Sequence, residues 1–173
     1  MKTLTSLGHA FLAGLATFAL VASAHAENLT SADQEFVKSA YQSGIAHLRL
    51  AELARDKTSN ADVQTFAARL IADHGKANAE LKTLAETKGL TLVSGPSTNA
   101  LAAARELDSR AGADFDKAFA AYEVSHHRRS VQAYEQAGTG TQNSDIRAYV
   151  AKTLPTLKER LAAAQSLQDK VGR

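Results

Sequence analysis

Histidine is the residue type in this chain with the most chemistry to offer. The chain has six histidines, and four of them fall inside long segments of helix-forming residues: His47, His74 and the adjacent pair His126 and His127, with Glu123 just upstream of the pair. Imidazole is the usual side-chain ligand for divalent transition metals, and it changes charge near neutral pH. Glu123-x-x-His126 has the i, i+3 spacing used by di-iron carboxylate bundles. A di-iron centre needs two such motifs and an inward glutamate from each of the other helices. The chain has one motif, and Glu52, Glu80 and Glu159 fall off the apolar stripes of their segments, so that centre is not expected.

At 100° per residue, His47 falls within about 20° of Phe36, His74 within about 20° of Val63 and Leu81, and His126 within about 20° of Phe115. Each lies near the middle of an apolar stripe. His127 is turned by roughly a further 100°, to the stripe's edge near Val131 and Tyr134. Two readings stand. In one, His47, His74 and His126 or His127 hold a divalent transition metal, completed by water or Glu123. In the other, they form a polar layer, each ring hydrogen-bonded to a neighbour, that fixes helix register. Arg160 lies on the shoulder of the fourth segment's stripe and opposes a bound cation unless its guanidinium reaches outward.

Other chemistries are poorly supported. The 173 residues include no cysteine, which excludes disulfides, thiolate zinc sites, iron–sulfur clusters and covalently attached haem. A net charge of +2 is too small to point to nucleic acid or an anionic membrane surface. Ser125 and Ser130 lie near histidines, but nothing resembles a nucleophile elbow, a phosphate loop or a dinucleotide-binding glycine motif. Asp73 and His74 diverge by 100° on a helix, and the basic run from His126 to Arg129 reads as a solvated face with an inward histidine. No catalytic residues are assigned, and the protein is expected to be non-enzymatic.

Residues 1–26 read as a secretory signal peptide. Lys2 is the only charged residue before Glu27, an apolar run follows, and Ala24-His25-Ala26 is a small-x-small cleavage site. The run is shorter than the ~20 residues a membrane span needs. Residues 27–173 are then the mature domain, expected in the periplasm with no transmembrane span. A peripheral association with the outer envelope stays open.

The positioning elements are helical. Alanine, leucine, lysine, glutamate, glutamine and arginine dominate, and apolar residues recur at helical period. The pattern predicts helices over about 31–55, 61–88, 99–137 and 144–168, with 99–108 as a short separate piece and a kink at 109–112. Ser31 with Gln34 fits a capping box, Ser59 or Asn60 caps the second helix, and Gly89 stands where a helix-ending glycine belongs. Pro155 predicts a bend, or a break near Thr153. Short to moderate connections and one stripe per helix give an all-α fold: an antiparallel four-helix bundle with a short extra helix before the third.

Several segments resemble an exported bacterial family. They are Phe36-Val37-Lys38-Ser39-Ala40 through Gly44, Val63-Gln64-Thr65-Phe66-Ala67, Asp73-His74-Gly75-Lys76-Ala77-Asn78, Phe115-Asp116, Tyr134-Glu135 and Thr153-Leu154-Pro155-Thr156-Leu157. The family is domain of unknown function 4142, described as ferritin-like and often labelled as outer membrane proteins. The resemblance implies a ferritin-like bundle and no established activity. It matches His74 and His127 to the family's helix-two and helix-three histidines, whereas periodicity favours His126. It also puts His47 where the family usually shows glutamate and Arg160 where it often shows histidine. The expectation is an exported periplasmic bundle of uncharacterised role, an envelope-stress or interaction module that associates with itself or an envelope protein. The alternative is a metal-binding bundle using His47, His74, His126 or His127, and Glu123.

Overall fold

Thr30 starts the first helix. Its backbone is extended, its hydroxyl accepts from the Asp33 N–H (3.1 Å), and the Asp33 carboxylate accepts from the Thr30 N–H (3.0 Å). The capping box is therefore Thr30/Asp33 rather than Ser31/Gln34. Ser31 is already the first helical residue, and a carboxylate is the stronger acceptor for an orphan N–H. A computed structural model describes residues 28–173 and shows α1 (Ser31–Lys57), α2 (Ala61–Thr87), α3 (Thr98–Asp108), α4 (Gly112–Gly140) and α5 (Ser144–Val171). The described residues are all-α. The signal-peptide expectation falls on residues outside them, and among them no helix is long and apolar enough to cross a membrane.

The turns follow from local hydrogen bonding. Asn60 caps α2 by accepting from the Asp62 and Val63 N–H groups. At the other end Gly89 takes φ +65°, the Leu90 N–H reaches the Ala85 carbonyl (2.8 Å) and the Gly89 N–H reaches Glu86 (3.1 Å). This is a Schellman ending, which needs a residue free to adopt a left-handed backbone. The expected kink at 109–112 is instead a true interruption: α3 ends at Asp108 and Gly112 opens α4 at φ +54°. Pro155 breaks nothing, and α5 runs unbroken across it. Pro155 and Ala151, whose carbonyl loses its donor, both lie on the exposed side, where water can serve that carbonyl.

The α1–α2 and α4–α5 turns are built alike. Thr58 and Thr141 end the first helix of each pair, and each hydroxyl accepts from the N–H of the asparagine two residues on, Asn60 or Asn143. Asn143 caps α5 through the Asp145 and Ile146 N–H groups, as Asn60 caps α2. Thr58 donates to Asp116 near the start of α4 (2.6 Å), and Thr141 hydrogen-bonds Asp33 near the start of α1. All three pairs, Asp33/Asp116, Thr58/Thr141 and Asn60/Asn143, are 83 residues apart.

Side-chain burial divides the interior into two apolar cores. One contains Leu50, Ala54, Phe66, Leu70, Phe115, Phe119 and Leu167. The other contains Val37, Leu81, Tyr134, Ile146, Tyr149 and Leu157. Along α1 and α5 the chain passes from the second core to the first, and along α2 and α4 from the first to the second. Like-directed α2 and α4 are therefore joined by a long crossover. It leaves the second core at Leu90 and Leu92 and ends at Leu107 of α3 in the first. Phe119→Ala should lower the unfolding free energy by about 3–5 kcal/mol in urea titration, because its ring is wholly buried. Val93→Ser, at an exposed position, should change it by no more than about 0.5 kcal/mol.

Candidate metal centre

Between the two cores lies one polar layer. On α1, His47 follows Val37 and precedes Leu50; on α2, His74 lies between Leu70 and Leu81. On α4, Glu123, His126 and His127 lie between Ala120 and Tyr134, and on α5 Arg160 lies between Leu157 and Ala164. All five metal candidates from the sequence are buried and meet here: His127 and Glu123 are 0 % exposed and His47 is 1 %.

The edge position expected for His127 is corrected. α4 is flanked by α5 and also by α1 and α3, so its inward arc is wider than one stripe and takes both adjacent histidines. Arg128 and Arg129 remain outside. Arg160 does not reach outward either. It is 7 % exposed, and its Nε donates to Asp73 at 3.1 Å, which offsets part of its charge.

Ring centroids of His47, His74 and His127 form a triangle of 5.5, 6.1 and 6.3 Å. An ion bound at about 2.1 Å to one nitrogen of each ring would space the centroids by about 5.2–5.5 Å. Glu123 enters this triangle, with one oxygen 3.2 Å from His127 Nε2 and the other 4.0 Å from His47 Nε2. His47 Nδ1 donates to the Ser43 carbonyl (2.9 Å), which fixes the tautomer and leaves the Nε2 lone pair free. Among the described residues, six buried side-chain nitrogen or oxygen atoms lack a hydrogen-bond partner. They are His47 Nε2, His74 Nε2, both nitrogens of His127 and both oxygens of Glu123. The hydrogen-bonded polar layer expected as the plainer reading is thus not satisfied within itself, and buried polar atoms are rarely left so. No three His, Asp or Glu side chains among the described residues already present their donors to a common point, so a metal shell needs ring reorientation of about 1 Å.

His126 differs. Its Nε2 is 3.0 Å from the Ser130 hydroxyl, and its ring stacks on His47 with centroids 3.3 Å apart. Ser130 and His126 lie one turn apart on one helix, where the backbone N–H groups are already committed, so no oxyanion site accompanies them. Tyr122 also stacks on His47, with ring centroids 5.6 Å apart.

Burial holds His47, His74 and His126 below the ordinary imidazole range. For His74 and His126 the shift is large, and the neighbouring imidazoles add to it, as does Arg160 at His74. Glu123 and the Ser43 carbonyl oppose the effect at His47 without reversing it. Three imidazoles are therefore neutral at pH 7, the form that binds metals.

An all-α chain with an imidazole–carboxylate layer between two cores describes a helical protein with a built polar interior. The chain belongs to the family Domain of unknown function (DUF4142), which it matches over residues 19–167. Among solved structures, CopM in the Cu(II)-bound form is similar in fold, with a TM-score of 0.63 and 16% identity over 79% of this chain and 95% of CopM. No curated protein matches the sequence significantly.

Two measurements follow. In metal-free protein the unfolded chain's imidazoles take up protons near pH 6.5, while the folded ones take them up only at lower pH. Stability is therefore complete above that value and lost as pH falls from it towards the folded values; urea midpoints between about pH 8 and pH 5 should show the decline. A double-mutant cycle of His127→Ala and Glu123→Gln should give a coupling of about 1–3 kcal/mol, because the first change alone strands a sealed carboxylate.

Proposed function

We propose that the protein is an exported, ferritin-like four-helix bundle that binds a divalent transition metal through His47, His74, His127 and Glu123, with His126 and Ser130 bracing the His47 ring. The observation that carries this reading is the set of six sealed, unpartnered donor atoms, all on those four residues. A cation can take one nitrogen of each ring and the carboxylate oxygens, five of the six; the other nitrogen of His127 then carries the ring N–H. The donor set selects the metal class: there is no cysteine and the only methionine is Met1, so soft Cu(I) is poorly served, whereas imidazole with carboxylate suits Cu(II) or Zn(II). CopM supports the fold and is itself in a Cu(II)-bound form; the ligands proposed here come from this chain alone.

The bundle assignment is supported by two helix pairs that share both cores and by the one long crossover, the connectivity of ferritin-like folds. Export is supported by the N-terminal sequence pattern, and a periplasmic place would suit an ion buffer or carrier. The interior offers ligands and no built substrate machinery, so binding rather than catalysis is the role proposed.

Chelator-treated protein titrated calorimetrically should take up one Cu(II) per chain, and Zn(II) more weakly, following the usual affinity order. At a hundredfold excess over Kd the melting temperature should rise by about 5–10 °C. His47→Ala and His127→Ala should each weaken binding by about tenfold or more. No uptake and no shift at saturating metal would overturn the reading, as would uptake indifferent to both substitutions.

A further inference from the structure

A cavity of about 360 Å³ opens beside the polar layer between α1, α2, α4 and α5. Its inner wall reaches His74 and His126, and its sides are apolar, formed by Phe36, Leu81, Tyr134 and Leu157. That volume is within the range of sites that enclose small organic molecules. Three permanently charged side chains line it: Glu35 and Arg129, both exposed, and Arg160, more than nine-tenths buried.

The guanidinium is only partly used. Its one hydrogen bond is from Nε to Asp73, and its terminal amino groups have no partner among the described residues. Those amino groups are not among the atoms sealed without partners, so they reach open space, and the space Arg160 lines is this cavity. With Nε occupied, the end of the fork remains: two parallel N–H donors in a plane, the spacing that meets the two oxygens of a carboxylate. Asp73 cancels part of the Arg160 charge, and the exposed Glu35 and Arg129 on the wall offset one another, so the site suits a single negative charge. The apolar sides want a hydrocarbon body.

We infer that this cavity is a binding site for a small organic monocarboxylate, whose carboxylate pairs with the free amino groups of Arg160 and whose apolar body packs between Phe36, Leu81 and Leu157. This goes beyond the metal reading and does not depend on it. A bound carboxylate would also lessen the repulsion that Arg160 exerts on positive charge at His74.

The test uses chelator-treated protein, so that its failure and the failure of metal binding are separate results. Benzoate is the probe, followed calorimetrically, with benzyl alcohol as the uncharged analogue and inorganic phosphate as the anion without an apolar body. Benzoate should bind saturably, one per chain, and benzyl alcohol and phosphate should each bind at least about tenfold more weakly. Arg160→Gln should cost benzoate about tenfold or more. Because that change replaces a buried guanidinium, Ala133→Phe is the second variant: Ala133 lines the cavity at an exposed position, so a ring there blocks the opening while the fold keeps its melting temperature. It too should abolish benzoate binding. The inference is overturned if the wild type shows no saturable binding at millimolar benzoate, if phosphate binds as tightly, or if a folded variant binds benzoate as well as the wild type.

Discussion

A carboxylate sealed from water between imidazoles is the constraint on which the rest of the structure depends. Glu123 lies in the middle of α4, has no exposed surface, and accepts no hydrogen bond at either oxygen. Placing an ionisable group there costs several kcal/mol unless a proton or a cation stands beside it. Every helix that reaches this level supplies a polar side chain: His47 from α1, His74 from α2, His126 and His127 from α4, Arg160 from α5. The apolar cores above and below exclude water and fix the height at which the four helices meet. They therefore decide both that Glu123 and His127 are sealed from water and that the members of the layer can touch.

The layer also explains why imidazole is the residue type used. Neutral rings tolerate burial far better than lysine or arginine, and burial keeps three of them neutral at pH 7. The one permanent cation, Arg160, is admitted only with Asp73 at its Nε and a cavity at its far end. The two charged residues of the layer thus have different outlets: Glu123 looks to the imidazoles, and Arg160 looks into the cavity beside the layer, space that a ligand can fill.

Much of this was legible in the sequence. Helical period put His47, His74 and His126 inward, and each is buried; glycine and asparagine marked the end and start of α2, and both act there. What a one-helix projection cannot carry is neighbourhood. It put His127 at an edge, because it takes no account of a helix covered from two sides, and the family resemblance, which chose His127, was the better guide to the ring beside Glu123. Likewise Pro155 suggested a bend or a break near Thr153, and the break does not occur: α5 lies along α4, and the ring falls on the exposed side, so the helix continues. The free amino groups of Arg160 had no sequence signal, since they depend on a pairing with a residue 87 positions away.

The paired turns bear on how such an interior came to be asymmetric. With a constant offset, the sequence of α1–α2 aligns in register with that of α4–α5: Asp33 with Asp116, Phe36 with Phe119, Thr58 with Thr141, Val63 with Ile146, Phe66 with Tyr149. Under the same offset the polar layer fails to repeat. Glu123 falls on Ala40, His127 on Gly44, Arg160 on Ala77 and His74 on Leu157. Each of these polar groups therefore stands at the register position of a small or aliphatic residue in the other pair. The chain has the form of a duplicated hairpin whose scaffold stayed alike while its lining diverged, and a single ancestral unit of this kind would close its own interior by pairing with a second copy about a two-fold axis.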